Sequence, residues 1–457
     1  MEGISQASDR ARAFQALRHR DFRLLFTGQA VSLVGDAAFL TALGWKTFTI
    51  AGAGKIGLVL SIQGAGLLTT LLIGGALADR YERRRMMVLS DVWRFLAVGT
   101  LAGLDATGHL GLGSLVVLSG LMGLGDGLFY PAVGGIIPLV VDRTHLASAN
   151  SLMGVARWGG FVVGPALAGF LYHGAGSAWV FAIDALSFLV SGALMLLARP
   201  RAIEVEPSVG TLTEIREGAS YVGRIPWLWV TITLFAVILM LQLAPQQVLL
   251  PKLVADHFNR GVGSYAALSA MVGVGTVCGT LLFGHLQPRR RRGVLSYWLW
   301  LINSLAIAGM ALAPWYPLAG GLALVRGVCI GFGVAVWETM LQELVPARLL
   351  GRVISLDFFG SFGLMPIGLA IWGGLAGIAP PGPMIAAGAL VSAGMIGVVL
   401  TVPGSGQSSS RRWRDEDLST GNRGTRREAN AIGRGSSSKH AARPRSARTG
   451  DLPCSPA

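Results

Sequence analysis

Charged residues are scarce in this 457-residue chain: Asp, Glu, Lys and Arg make up 14% of it, against 52% hydrophobic residues. An ordinary water-soluble domain carries roughly a quarter charged residues, so this shortage excludes one of such length. Acid is scarcer than base, with 24 Asp and Glu against 38 Lys and Arg and a formal net charge of +14. The three cysteines, Cys278, Cys329 and Cys454, have no metal-ligand spacing and no evident partner, so neither a disulfide framework nor a thiolate metal site is expected. No Gly-x-x-x-x-Gly-Lys-Ser/Thr loop occurs, which argues against ATP hydrolysis. His109, His145, His173, His257 and His285 are scattered, with no His-x-x-x-x-Asp pair and no nucleophile motif, which disfavours a membrane-embedded enzyme. The basic excess is not interleaved with aromatic residues in a soluble domain, so nucleic acid is not an expected partner. Neither a metal nor a cofactor is expected.

What the chain has is long apolar runs. About twelve stretches of about 20 mostly uncharged residues, the length that crosses a bilayer as a helix, lie near 23–49, 56–78, 87–105, 114–138, 151–173, 178–198, 227–250, 264–286, 294–312, 317–341, 353–376 and 384–402. The first 20 residues carry charges throughout and no short apolar core ahead of a cleavage site, so the first run is expected to serve as its own signal anchor. Basic residues fall in alternate connections: Arg10, Arg12, Arg18, Arg20 and Arg23 before the first run, then Arg80 with Arg83 to Arg85, Arg143, Arg199 with Arg201, Arg216 with Arg224, Arg289 to Arg292, and Arg348 with Arg352. The intervening connections offer only Lys55, Lys252 and Arg260. The positive-inside bias therefore predicts a multi-pass protein of the cell inner (cytoplasmic) membrane with both termini cytoplasmic.

Between the second and third runs stands Gly75-Ala-Leu-Ala-Asp79-Arg80-Tyr-Glu-Arg83-Arg84-Arg85, a dense cationic turn against membrane-length apolar sequence. It resembles the loop between the second and third helices of major facilitator superfamily transporters, where a glycine, an Asp-Arg pair and trailing arginines recur at this spacing. The resemblance covers roughly residues 20 to 402 and implies an all-α integral membrane protein, with twelve transmembrane helices in two six-helix halves. It also implies a cytoplasmic gate at Gly75, Asp79, Arg80, Arg83 and Arg84, with Asp79 facing the start of the eleventh helix and locking the halves in the outward-facing state. Glu82 stands where many relatives carry glycine, and the second-half counterpart, Gly279 followed by Arg289 to Arg292, lacks the acidic residue. The plainer reading is that these arginines only set topology.

A second motif, Gly160-Phe-Val-Val-Gly164-Pro165-Ala-Leu-Ala-Gly169, resembles the glycine-proline motif associated with exporters and antiporters of this superfamily, with Ala168 where Gly is usual. Gly at four-residue spacing gives a flat face for close helix contact, and Pro165 frees a carbonyl and can kink the helix. Ordinary tight packing accounts for the pattern equally well on physical grounds. A third, Gly28-Gln29-Ala-Val-Ser32-Leu-Val-Gly35, resembles the first helix of the drug:proton antiporter group that includes macrolide-exporter-like and enterobactin-exporter-like members.

The two halves repeat. One shift of register superposes Gly123 on Gly327, Gly127 on Gly331, Val141 on Val345, Leu146 on Leu350, Ser151 on Ser355, Gly164 on Gly368 and Gly169 on Gly373. Two parallel six-helix halves with a substrate site between them near the midplane follow from such a repeat. The expected organisation is a cytoplasmic N-terminal segment over 1–21, a first half over 22–198, a polar linker over 199–226, a second half over 227–402 and a disordered basic cytoplasmic tail over 403–457.

A charge near the centre of a membrane helix costs about 3 kcal/mol on insertion scales, so each is a functional candidate. Asp36 lies about 14 residues, roughly 20 Å, into the first run. It is a candidate for proton coupling, for a packing hydrogen bond, or for substrate contact. Asp126, between Gly125 and Gly127, sits at similar depth, and Arg157 is the candidate ion-pair partner of either aspartate. The second half contributes Arg326, Trp337 and Glu338, with Gln242 and Gln246 around Pro245, as candidates to line a substrate cavity. Met122 occupies the position aligned with Arg326, so the fourth-helix arginine of many proton-coupled members is absent. Asp91 and Arg94, three residues apart, read as a structural pair near the start of the third run. Asp184 reads as packing, and Asp357 as acting on the dipole at the start of the eleventh helix.

Together these readings predict a secondary active transporter and not an enzyme. Its function would be proton-coupled efflux of a lipophilic or amphipathic small molecule by alternating access. The expected partners are that substrate, protons and the lipid bilayer, with the chain monomeric. An importer or uncoupled carrier of the same fold is the first alternative, and a non-transporting receptor or membrane-embedded enzyme is more remote.

Overall fold

Apolar runs of this length become helices because, in hydrocarbon, every backbone N–H and C=O must find its partner within its own segment. A computed structural model of the chain describes residues 15–78, 82–201, 211–286, 288 and 292–401. Asp79, Arg80 and the tail lie outside the described residues. The first half holds α1 (Arg20–Ala51), α2 (Ala53–Ala78), α3 (Arg83–Ala106), α4 (Leu112–Val140), α5 (Leu146–Ala175) and α6 (Ser177–Leu197). The linker region contributes a short helix, α7 (Thr211–Arg224), packed against the second half. That half holds α8 (Pro226–Lys252), α9 (Val262–Leu286), α10 (Arg292–Ala311), α11 (Tyr316–Leu344), α12 (Ala347–Phe362), α13 (Met365–Leu375) and α14 (Pro381–Thr401). Among the described residues, twelve segments are long and apolar enough to cross a membrane, and each coincides with an expected run.

One run departs from expectation. The eleventh is two helices, α12 and α13, interrupted at Gly363 and Leu364 just ahead of Met365-Pro366. Pro366 has no N–H with which to continue the ladder, and the chain resumes as a fresh helix. Because α12 begins at Ala347, Asp357 sits well inside it and not at its N-terminus. The Asp357 carboxylate instead accepts a hydrogen bond from Trp337 Nε1 at 3.0 Å, joining α12 to α11.

Glycines seat equivalent helices against one another in the two halves. A Cβ at Gly123 or Gly127 would collide with the α2 backbone at Gln63 and Leu67, while one at Gly327 or Gly331 would collide with the α9 backbone at Val272 and Thr276. Gly164 of α5 lies against Ala37 and Ala38 of α1, and Gly368 of α13 against Met240 and Ala244 of α8. Finally, Gly169 of α5 meets Ala266 of α9, whereas Gly373 of α13 meets Gly54 and Gly57 of α2. The repeat in sequence is thus a repeat of contacts, and its last pair joins the halves to each other.

The distribution of apolar side chains fixes how the halves meet. At the end opposite the arginine-rich turns, one continuous core unites both halves, from Phe39, Leu43, Ile56, Leu101 and Phe181 to Leu249, Leu268, Ile307 and Ile385. Trp45 of α1 stacks on Tyr265 of α9 there, ring centroids 5.8 Å apart. At the arginine-rich end the cores are separate. One gathers Phe22, Met87, Phe129, Ile136 and Met195 of the first half, and another gathers Leu228, Ile232, Leu341 and Val353 of the second. Burial at roughly 25 cal/mol per Å² of apolar surface favours closure where the core is shared. The halves are sealed at one end and parted at the other.

Candidate functional site

The first half encloses a cluster of charge. Arg94 of α3 is only 2% exposed. Its Nη2 donates to Asp91 Oδ1 at 2.5 Å and its Nη1 to Asp126 Oδ1 of α4 at 3.3 Å. The guanidinium carbon also lies 4.0 Å from the Phe129 ring centroid and 4.3 Å from that of Phe188, a cation–π sandwich that offsets part of its desolvation. Asp36 of α1 and Asp184 of α6 are close enough for their charges to act on Arg94 and on each other. Asp36 Oδ1 and Asp184 Oδ2 are buried without a hydrogen-bond partner among the described residues.

Small residues make room for the cluster. A Cβ at Gly125 would stand 2.7 Å from Arg94 Cγ, one at Gly192 would stand 3.3 Å from Asp91 Cβ, and one at Gly35 would stand 2.5 Å from Asp184 Oδ1. The glycines around Asp126 therefore seat Arg94 and α2, where the sequence reading allowed a ligand. Around the cluster, Ser90 Oγ donates to the Gly125 carbonyl at 2.7 Å and Trp93 Nε1 to the Leu121 carbonyl at 2.7 Å, fixing α3 on α4.

The structure corrects the pairing expected for Arg157. Arg94, not Arg157, is the ion-pair partner of Asp126. Arg157 of α5 is exposed within its span, as is Glu338 of α11, and the two are near enough for the charge of Arg157 to act on Glu338 across the gap between the halves. The sequence alone places Arg94 near the start of the third run, which hides it as a site residue. Since α3 begins at Arg83, Arg94 stands about 16 Å along the axis, near the middle of the membrane. The three-residue spacing of Asp91 and Arg94 was the available signal.

In the second half, Gln242 is engaged elsewhere than in a cavity. Its Nε2 donates to Ser304 Oγ at 2.7 Å and its Oε1 accepts from Asn303 Nδ2 at 2.8 Å. Gln246 Nε2 donates to the Gln242 carbonyl at 2.8 Å, and both glutamines are buried. The bonds from Gln242 knit α8 to α10, so its chemistry is accounted for without a substrate. Trp337 packs its ring edge-on to Trp227 and parallel to Phe235. Arg326 differs from all of these. It is 9% exposed, makes no hydrogen bond or ion pair among the described residues, and leaves its Nε buried without a partner.

Of the expected gate, Gly75 lies within α2, Asp79 and Arg80 fall outside the described residues, and Arg83 and Arg84 pair with no acidic group of the other half among the described residues. Arg83 Nη1 donates to the Gly135 carbonyl near the C-terminal end of α4 at 2.5 Å. Arg84 donates from Nε to the Met195 carbonyl at 3.2 Å and from Nη2 to the Leu196 carbonyl at 2.5 Å, in the last turn of α6. Helix C-termini present unbonded carbonyls and partial negative charge, so they attract guanidinium groups as acids would. The glycine-proline segment forms the α1 contact through Gly160 and Gly164 and the α9 contact through Gly169, with Pro165 inside a continuous α5.

Comparison with known proteins agrees with this architecture. The chain is 27% identical to the enterobactin exporter EntS of Shigella boydii over 375 residues, covering 79% of this chain and 87% of that relative. It matches EntS of Escherichia coli O139:H28 at the same identity and coverage. In fold it resembles the nucleoside transporter NupG (D323A mutant), with a TM-score of 0.67 at 13% identity, covering 84% of this chain and 100% of that one. It also resembles a bacterial homologue of the iron transporter ferroportin in the inward-facing state, with a TM-score of 0.63 at 18% identity, covering 84% and 99% respectively. The sequence profile of the Major Facilitator Superfamily matches residues 25–368. A twelve-span bundle of two equivalent halves, a buried charge cluster in one of them and this match have one meaning: the chain belongs to the Major Facilitator Superfamily and is a membrane transporter, not an enzyme.

Proposed function

We propose that the protein exports a lipophilic or amphipathic small molecule in exchange for protons, by alternating access between the two halves. The observation that carries this reading is the charge cluster. Asp36, Asp91, Asp126 and Asp184 surround a single buried guanidinium, an imbalance of acid over base that a bound proton corrects. Asp36 is the leading proton site, because it keeps a free oxygen and lies on α1 one residue before the Ala37–Ala38 backbone on which Gly164 of α5 rests. A proton that changes the bonding of Asp36 acts on the same helix contact that α5 extends to α9 in the other half. Arg326 supplies a buried positive charge free to meet an acidic or strongly accepting group of the substrate. Its likeness to enterobactin exporters supports export of a siderophore-like compound.

With the arginine-rich end cytoplasmic, the open side of the molecule faces the cytoplasm, where an exporter loads. The test is accumulation of lipophilic fluorescent probes and antibiotics, both cationic and anionic, in efflux-deficient cells with and without a protonophore. Lower accumulation that the protonophore abolishes is the expected result. Asp36→Asn is expected to abolish coupled export while purified protein still binds the exported probe. Full export by Asp36→Asn would remove Asp36 from the mechanism, and accumulation raised by the protein would replace export with uptake.

A further inference from the structure

Two segments of the first half converge at its arginine-rich end, away from the buried charge cluster. His19 immediately precedes α1, and Asp142 and His145 lie in the connection from α4 to α5. His19 Nε2 is 2.9 Å from His145 Nδ1 and 3.8 Å from Asp142 Oδ2, and one ligand atom from each of the three side chains falls within 4.8 Å of the others. In tetrahedral zinc sites with metal–ligand bonds of about 2.0–2.2 Å, neighbouring ligand atoms stand roughly 3.3 Å apart. The two separations to His19 Nε2 bracket that value.

We propose that His19, Asp142 and His145 bind a divalent transition-metal ion of the zinc class, through two imidazole nitrogens and one carboxylate oxygen, with the fourth position open to water. Two borderline nitrogen donors and one carboxylate suit Zn²⁺ or Co²⁺ better than Mg²⁺ or Ca²⁺, which require oxygen shells. The supporting shell is already built. Arg201, just beyond α6, is ion-paired with Asp142 Oδ1 and so leaves Oδ2 turned towards the histidines. A hydrogen-bonded partner on a ligating carboxylate is the usual way a metal site orients its ligands.

The backbone around the site is tied down as well. The Arg201 N–H donates to the Leu139 carbonyl at 3.0 Å, the Arg199 N–H donates to Asp21 Oδ1 at 3.1 Å, and the Ala16 N–H donates to Ser148 Oγ at 3.1 Å. His19 Nε2 stands within about half an ångström of ligand spacing from both partners, and bringing Asp142 and His145, whose ligand atoms lie within 4.8 Å, to the same spacing takes side-chain rotation with no rearrangement of helices. The His19 and Asp142 side chains are 23% and 49% exposed, so an ion reaches them from solvent without passing through the transport path. The sequence shows no metal motif because only Asp142 and His145 stand together, in the α4–α5 connection, while His19 comes from ahead of α1.

The full-length chain, purified in detergent with any polyhistidine tag removed, is titrated with Co²⁺ and with Zn²⁺. One saturable equivalent is expected, giving the intense visible absorption of four-coordinate Co²⁺, displaceable by Zn²⁺. His19→Gln and His145→Gln are each expected to abolish that absorption, Arg201→Gln to weaken affinity by roughly tenfold or more as for loss of an orienting partner, and His109→Gln to change nothing. All four positions are outside the buried core, and an unchanged gel-filtration profile verifies the fold of each variant. If the His19→Gln/His145→Gln protein binds with the stoichiometry and affinity of the parent, or if the parent shows no saturable equivalent, the site does not exist.

Discussion

Removal of the Arg94 guanidinium would leave Asp91 and Asp126 buried without their counter-charge, and breaking one side of such a pair costs about 3–5 kcal/mol. Arg94→Gln is therefore expected to lower the melting temperature of the purified protein steeply. Arg157→Gln, at an exposed position with no ion pair among the described residues, should leave it unchanged. Equal melting of the two variants would show that the Arg94 pairs with Asp91 and Asp126 do not stabilise the fold. Gln242→Ala is expected to cost about 1–3 kcal/mol by stranding the Asn303 amide nitrogen, while Ser304 keeps its bond to the Trp300 carbonyl and probe affinity is kept. A large loss of affinity at full stability would return Gln242 to the substrate cavity. The identity of these buried groups was visible in the sequence, because a charge or amide inside an apolar run stands out. Their partners were not: the sequence offers Arg157 to Asp126 or Asp36 alike, and only the packing of α3 on α4 brings Arg94 to Asp126.

Close helix contact through glycine gives a sharper contrast within α5. A Cβ at Gly164 would lie 2.5 Å from Ala37 Cβ and 2.8 Å from the Ala38 nitrogen, whereas one at Gly159 would meet nothing within 4 Å. Gly164→Val should destabilise by about 1–3 kcal/mol through overpacking and should also suppress transport. Gly159→Ala should be neutral or stabilise by up to about 1 kcal/mol. Thermal melts of the two variants decide this, and a tolerated Gly164→Val would mean that α1 and α5 are not in fixed contact. All twelve spans were legible because apolar blocks and arginine-rich turns alternate so plainly. The break between α12 and α13 was not, since proline alone does not announce one. Pro131 and Pro138 lie within continuous α4 and Pro165 within continuous α5, while Pro366 opens a new helix. Neighbouring helices can re-satisfy freed carbonyls in a membrane bundle, and sequence does not say where they do.

The sealed and parted ends make a prediction for the molecule as it sits in a bilayer. With the native cysteines replaced by serine, Glu338→Cys and Arg157→Cys should react with a membrane-impermeant maleimide added on the side of the arginine-rich turns. A cysteine at Trp45, beneath the shared core, should react from neither side. Labelling from the opposite side alone would mean that the resting molecule is open the other way. Beside the shared core, the helix pairs that cross from one half to the other meet through small residues: Gly54 and Gly57 lie on Gly373, and Gly169 lies on Ala266 beside Gly263. Interdigitated side chains would have to change rotamer one after another as two surfaces separate, whereas two bare ridges of peptide can slide or lift without such steps. Any parting of the halves at that end would then be resisted by the shared apolar core, Trp45 on Tyr265 included, and little by the glycine-lined crossings beside it.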